Sequence, residues 1–272
     1  MPRIALFQMT SGIDPQGNAA ALEEAILRAG DTGAEMIFTP EMSGLLDRDR
    51  KRAAPSIVPE ERTVALARSR EAARRANIWV SLGSLAVETP DGRWANRAFV
   101  IGPDGDIAAR YDKLHMFDVD LASGESWRES NAYRAGETVV TVSDTPVGRL
   151  GLAICYDIRF PALFEALGRA ECDCISIPAA FTVPTGRAHW HILQQARAIE
   201  ASAFVVAAAQ VGEHADGRRT YGHSLVVDPW GEVLLDMGGD AAGLGFCDID
   251  LGRIADIRAQ VPSLANRREI AK

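Results

Sequence analysis

Cys155 stands in LAICYDIRFP (152–161), where an apolar run ends in a cysteine and an aspartate, an arginine and a proline follow within six residues. The run has strand character and Pro161 suits the first turn of a helix. The thiol therefore falls at a strand-to-helix elbow, where α/β enzymes expose nucleophiles beside unpaired backbone N–H groups. An unpaired cysteine is equally at home as a small apolar core residue. To attack, the thiol needs a base that makes it a thiolate near neutral pH. Five histidines are present, His115, His189, His191, His214 and His223, but none sits in a local Cys/His hydrolase signature. Two other strand ends offer charged partners, Glu41 in MIFTPEMS and Lys113 in ARYDKLHMFDVD. Each is also acceptable as a solvated strand cap, a role that demands no chemistry.

Helix-period segments at 18–34, 61–77, 161–171 and 188–203 alternate with β-type runs at 3–9, 35–42, 78–88, 96–105, 148–157, 172–181 and 203–212. The turn-rich TPDGRW joins two of the runs, and YGHSLVVDPWGEVLLD (221–236) with GLGFCDIDL (243–251) reads as a hairpin-like pair. Helices crossing over between buried strands make this an α/β protein. No flexible linker or low-complexity block divides residues 1–272, so one domain is expected. The polar, aperiodic stretch 118–135 has the character of a functional loop and the length to act as a lid.

Composition narrows the partners. With 47% hydrophobic residues the chain has ample material for a core, and a formal charge of −8 disfavours nucleic-acid binding. The start, MPRIALFQMTSG, lacks the h-region of a signal peptide, and no run approaches the length of a membrane span, so no membrane partner is expected. A cytoplasmic setting follows as an expectation. There, four cysteines in so long a chain would stay reduced, leaving Cys155 a free thiol.

TPEMSG (39–44), YDKLHMFDVD (111–120) and GLAICYDIRFP (151–161) together resemble the three motifs of the nitrilase, or carbon–nitrogen hydrolase, superfamily. The order and context of the motifs agree across most of the chain. The resemblance implies a four-layer α-β-β-α sandwich, commonly paired through its helical faces, so a homodimer or higher homo-oligomer is expected. It implies a Glu41–Lys113–Cys155 triad with no metal and no cofactor. Cys155 would attack an amide carbonyl and form a thioester. Lys113 and the Tyr156 N–H would hold the oxyanion, and Glu41 would carry protons with a pKa raised by burial. Glu129, in WRESN of the long loop, matches a second glutamate beside the catalytic lysine; without the resemblance it reads as a surface charge.

Further downstream, the runs around ARAIE and AAAQ, and ESN in the loop, resemble the branch that hydrolyses side-chain amides of α-keto acid compounds, deaminated glutathione foremost and α-ketoglutaramate next. Such a small-molecule substrate is anionic and calls for a local cation. Arg159 is the first candidate, against a structural pairing with a nearby aspartate, and Arg187 is the weaker second. Phe181 and Thr185 match pocket positions, against plain packing and a turn hydroxyl. Cys172 and Cys174 alternate as on a strand and lack a second ligand pair, while His189 and His191 cannot share a helical face, so neither pair reads as a metal box. Trp190 and Trp230 read as packing residues. N-carbamoyl hydrolysis or nitrile hydrolysis would use the same triad, and a silent binding member is the non-enzymatic alternative.

Overall fold

The computed structural model describes residues 1–120, 122, 124 and 126–268. Two six-stranded sheets form its centre. The first runs Gly243–Asp248, Arg3–Gln8, Met36–Phe38, Trp79–Glu88, Trp94–Ile101, Ile107–Asp112; the second runs Val233–Asp236, Leu225–Val227, Phe204–Ala207, Cys174–Ser176, Gly148–Leu152, Thr141–Thr145. In each sheet the middle strands are parallel and the outer ones antiparallel.

Side-chain alternation builds the layers. Ile4, Leu6, Met36 and Phe38 belong to the core shared with the second sheet, whereas Ala5 and Ile37 pack with Leu22, Ile26, Leu66 and Ala73 of helices Pro15–Asp31 and Val64–Ala76. Ser81 and Ser176, one from each sheet, meet 3.2 Å apart in the interior. Helices Pro161–Arg169 and Val183–Ala201 cover the far face of the second sheet through Leu163, Phe164, Trp190 and Ala198. The result is the expected α-β-β-α sandwich.

Local chemistry explains where boundaries differ from the periodicity. The helix expected from 188 starts at Val183, because Thr182 is extended and Pro184 occupies the first turn, where its missing N–H costs nothing. The strand expected over 148–157 ends at Leu152, and residues 155–159 turn into a 3₁₀ helix. The C-terminal pairing is a correction. The hairpin lies within 221–236, as Leu225–Val227 against Val233–Asp236, while Gly243–Asp248 crosses to the first sheet and pairs antiparallel with Arg3–Gln8. That edge offers Arg3–Gln8 its missing hydrogen-bond partner, which local pattern cannot specify. Of the loop expected over 118–135, residues 121, 123 and 125 lie outside the described set. Its described part forms a short ribbon, Asp118–Asp120 against Ser126–Arg128, followed by a 3₁₀ turn at Glu129–Asn131. No described helix is long and apolar enough to cross a membrane.

Candidate active site

Three strand ends converge on one point. After Met36–Phe38 the chain is held against the neighbouring strand by Thr39 N–H to the Ser81 carbonyl (3.0 Å) and Ser84 N–H to the Pro40 carbonyl (3.3 Å). A Cβ on Gly83 would lie 2.0 Å from the Thr39 carbonyl oxygen, so only glycine lets the two backbones approach this closely. Met42 then takes a left-handed φ of 57°, and Gln210 donates to the Glu41 carbonyl at 2.9 Å, which fixes the glutamate at the sheet end. Lys113 follows Ile107–Asp112, with its N–H on the Asn96 carbonyl (2.9 Å). Cys155 sits at φ 47°, its N–H on the Pro178 carbonyl (2.9 Å). A non-glycine residue in this region is strained, and strand-to-helix elbows hold nucleophiles in that way.

Asp157, fully buried, locks the elbow. Its Oδ2 accepts from Ile154 N–H (2.9 Å) and the Tyr111 hydroxyl (2.7 Å), and its Oδ1 accepts from His115 N–H (2.9 Å) with His115 Nδ1 at 2.7 Å. The Lys113 segment and the Cys155 turn are thereby tied together. The aspartate weighed as a partner for Arg159 is thus engaged elsewhere.

Glu41, Lys113 and Cys155 are 5%, 2% and 7% exposed. The Lys113 ammonium donates to Glu41 Oε1 (2.9 Å) and to both oxygens of Glu129 (2.9 and 3.2 Å). Asn96 Nδ2 bridges the same two carboxylates at 2.9 and 3.1 Å. Glu41 Oε2 accepts the Ala180 N–H at 2.9 Å, and Glu129 Oε2 the Phe117 N–H at 2.7 Å. One cation thus serves two buried carboxylates whose remaining lone pairs meet N–H donors, the condition under which buried charge is tolerated.

The electrostatics correct one expectation. Burial pushes the Glu41 carboxyl up, but the Lys113 ammonium and hydrogen bonds from Cys155, Lys113 and Asn96 outweigh it and hold the group below its ordinary 4.5. Burial lowers Lys113, yet Glu129 and Glu41 raise it well above normal. Burial and then the Glu41 charge push the Cys155 thiol well up. At neutral pH Glu41 is therefore a carboxylate, Lys113 an ammonium and Cys155 a protonated thiol. A consequence is testable in a pH profile. Because the folded-state value of Glu41 lies below 4.5, its ionisation places the acid limb of kcat/KM below that pH. By the same sign, the stability Glu41 contributes is present above pH 4.5 and is lost as pH falls through the folded value. An acid limb near neutrality would mean the carboxyl is raised instead.

A cavity of about 400 Å³ opens onto this cluster, lined by the sequence candidates Glu41, Lys113, Glu129, Cys155, Tyr156, Arg159, Phe181 and Thr185. Arg187 is not in its lining. Tyr156 occupies the first turn of its helix, where backbone N–H groups lack intrahelical partners. The Arg159 guanidinium lies 5.9 Å from the Tyr156 ring centre and 5.4 Å from that of Phe181, with Nη1 3.2 Å from His189 Nδ1. Phe181 also packs on Trp190 at 4.8 Å, and the Thr185 hydroxyl meets that of Thr182 at 2.8 Å, so each combines a structural contact with a place in the wall.

Sequence reasoning missed a further cluster in the lining. Arg48 and Arg218 lie 5.5 and 5.0 Å from the Trp127 ring, and all three line the cavity. It also missed Asn96, a mid-strand residue with no local mark. An arginine flanked by two aspartates in LLDRDR, and GRRTY after a turn, were the available signals.

A family model described as carbon–nitrogen hydrolase matches residues 3–259. A deaminated glutathione amidase of Yersinia enterocolitica is 40% identical over 98% of this chain and 93% of its own length. The crystal structure of the C. elegans NitFhit protein superposes with a TM-score of 0.89 at 39% identity over 98% of this chain, which spans 65% of that longer one. Saccharomyces cerevisiae Nit3, a member of branch 10 of the nitrilase superfamily, matches with a TM-score of 0.85 at 26% identity over 96% of this chain and 94% of its own.

Proposed function

The chain belongs to the carbon–nitrogen hydrolase family and is an amidase of the nitrilase superfamily, and on that premise we propose that it cleaves the amide of an anionic α-keto acid compound, deaminated glutathione foremost. The observation that carries the reading is the buried Glu41–Lys113–Cys155 cluster in a cavity whose lining includes the guanidinium groups of Arg159, Arg48 and Arg218.

In this reading the Cys155 sulfur attacks the amide carbon, forming the C–S bond as its proton passes to Glu41. The oxyanion forms between Lys113 Nζ and the Tyr156 N–H, each donor contributing about 3 kcal/mol. Glu41 returns the proton to the amide nitrogen, the C–N bond breaks and the amine leaves. Water then attacks the thioester, its proton goes to Glu41 and on to sulfur, and the C–S bond breaks. Glu129, which binds Lys113 through both oxygens, holds the ammonium on line rather than exchanging protons.

Deaminated glutathione carries a carboxylate on each side of the cleaved bond. Among the described residues Arg159 and Arg48 have no carboxylate partner, whereas Arg218 is paired with Asp216. We assign Arg159, beside Cys155, to the keto acid carboxylate and the Trp127 wall to the distal one. Arg159→Gln is expected to raise KM roughly 10- to 100-fold while kcat changes little, as loss of a charge-assisted contact implies; steady-state kinetics measure both, and an unchanged KM removes Arg159 from the site. A panel of deaminated glutathione, α-ketoglutaramate and N-carbamoyl amino acids compared by kcat/KM tests the substrate. Deaminated glutathione is expected to lead, and a lead by carbamoyl compounds overturns the reading.

The same proposal takes residues 1–272 as one domain, since both sheets supply the site, and places it in the cytoplasm as a homo-oligomer. The exposed Ile192 and Ile199 of helix Val183–Ala201, with the exposed Trp230 in the turn between Leu225–Val227 and Val233–Asp236, support self-association.

A further inference from the structure

Outside the catalytic cavity, three side chains from three elements converge. His191 projects from helix Val183–Ala201, His223 lies between strands Arg219–Tyr221 and Leu225–Val227, and Asp236 ends strand Val233–Asp236. One ligand atom from each falls within 4.8 Å of the others. His191 Nε2 is 2.9 Å from Asp236 Oδ2, and His223 Nδ1 is 2.9 Å from Oδ1 and 3.1 Å from Oδ2. The side chains are 34%, 24% and 31% exposed, open to an ion from solvent.

Asp236 and His223 are also held by contacts outside the trio. Gly238 N–H donates to Asp236 Oδ1 at 2.9 Å. The His223 carbonyl accepts Trp190 Nε1–H at 2.8 Å, its N–H reaches the Gly238 carbonyl at 2.7 Å, and its ring stacks on Tyr221 with centres 4.4 Å apart. These contacts fix the His223 backbone and ring plane and one Asp236 oxygen before any ion binds. We propose that His191, His223 and Asp236 bind a divalent transition-metal ion, zinc being the match for two imidazoles and one carboxylate with a fourth position left to water. Ligand bonds of about 2.0–2.2 Å need the three atoms roughly 3.4 Å apart, a small adjustment from their present places.

The position gives the ion something to hold. Trp190, beside His191 in sequence, joins the His223 carbonyl to Phe181 of the cavity wall, and Tyr221 packs so closely on the helix that a Cβ at Gly186 would lie 2.2 Å from its ring. An ion bridging His191 and His223 therefore ties the helix that carries Thr185 to the strand that precedes His223, closing a long loop.

Titration of Zn²⁺ into the Cys155→Ala/Cys247→Ala protein, which removes the cavity thiol and the partly exposed one, is expected to show one site by calorimetry, with Co²⁺ giving a tetrahedral visible band. His191→Gln, His223→Gln and Asp236→Asn in the same background are each expected to weaken Zn²⁺ binding at least tenfold, and the rise in Tm with equimolar Zn²⁺ should vanish with them. Circular dichroism checks each fold, and three independent substitutions keep the test decisive if one fails to fold. Absence of a Zn²⁺ site in the parent, or equal affinity in all three variants, overturns the proposal.

Discussion

Cys155→Ala is expected to lower kcat by about 10⁴-fold or more on the best amide substrate while leaving the fold intact. A cavity that only positioned substrate beside an activated water would lose far less, whereas removing a covalent nucleophile removes the pathway. Packing argues that the fold survives. Cys155 is small, the substitution removes one sulfur atom, and its neighbours Ile154 and Ile158 are fully buried on their own account. The thiol has no intrinsic thiolate character to lend, because burial and Glu41 hold it protonated. Its reactivity in the proposed mechanism is created by the substrate's oxyanion at Lys113. Amine release measured across a substrate range, with circular dichroism beside it, decides this; near-native turnover by the folded variant would remove Cys155 from the mechanism.

Lys113→Met is expected to combine two losses. The oxyanion partner disappears, which corresponds to about a 10²- to 10³-fold drop in kcat. The two carboxylates it neutralises, Glu41 and Glu129, stay buried without their cation, and breaking a buried ion pair from one side costs about 3–5 kcal/mol. The pH dependence distinguishes this from simple loss of packing. In the parent, Glu41 is held below 4.5 by Lys113 against burial, so its stabilisation is present above that pH. Without Lys113, burial prevails and the folded-state value rises above the unfolded one. The variant then recovers relative stability as pH falls, and the gap to the parent narrows. Urea unfolding at neutral and mildly acid pH measures it; equal stability at neutral pH would mean the ammonium is not the charge that holds these carboxylates.

Glu41, Lys113 and Cys155 were legible because TPEMSG, YDKLHMFDVD and GLAICYDIRFP together resemble one family. Taken singly, the two charged strand ends read equally well as solvated caps and the cysteine as a small core residue. The layers were legible because Ile4 and Leu6 face one way and Ala5 the other. Asn96, by contrast, is a single polar residue in WANRAFVI, and its work of joining Glu41 to Glu129 exists only once three strands have paired. Asp157 is similar, since a carboxylate two residues after Cys155 reads as a turn residue until Tyr111, on a strand of the other sheet, and His115, just after it, arrive. The direction of the Glu41 shift was misread for the same reason. Burial could be inferred from one strand, but the opposing ammonium 72 positions away acts at 2.9 Å only in the folded chain.

The central claim is that an amide is cleaved through a thioester on Cys155. Its most direct test is acid-quenched mass spectrometry of the protein mixed with excess deaminated glutathione, with hydroxylamine added in a parallel sample. The predicted result is the keto acid acyl group on the peptide carrying Cys155, released as a hydroxamate by hydroxylamine. Steady turnover with the acyl group on another residue, or with Cys155 unmodified and no hydroxamate formed, would contradict it.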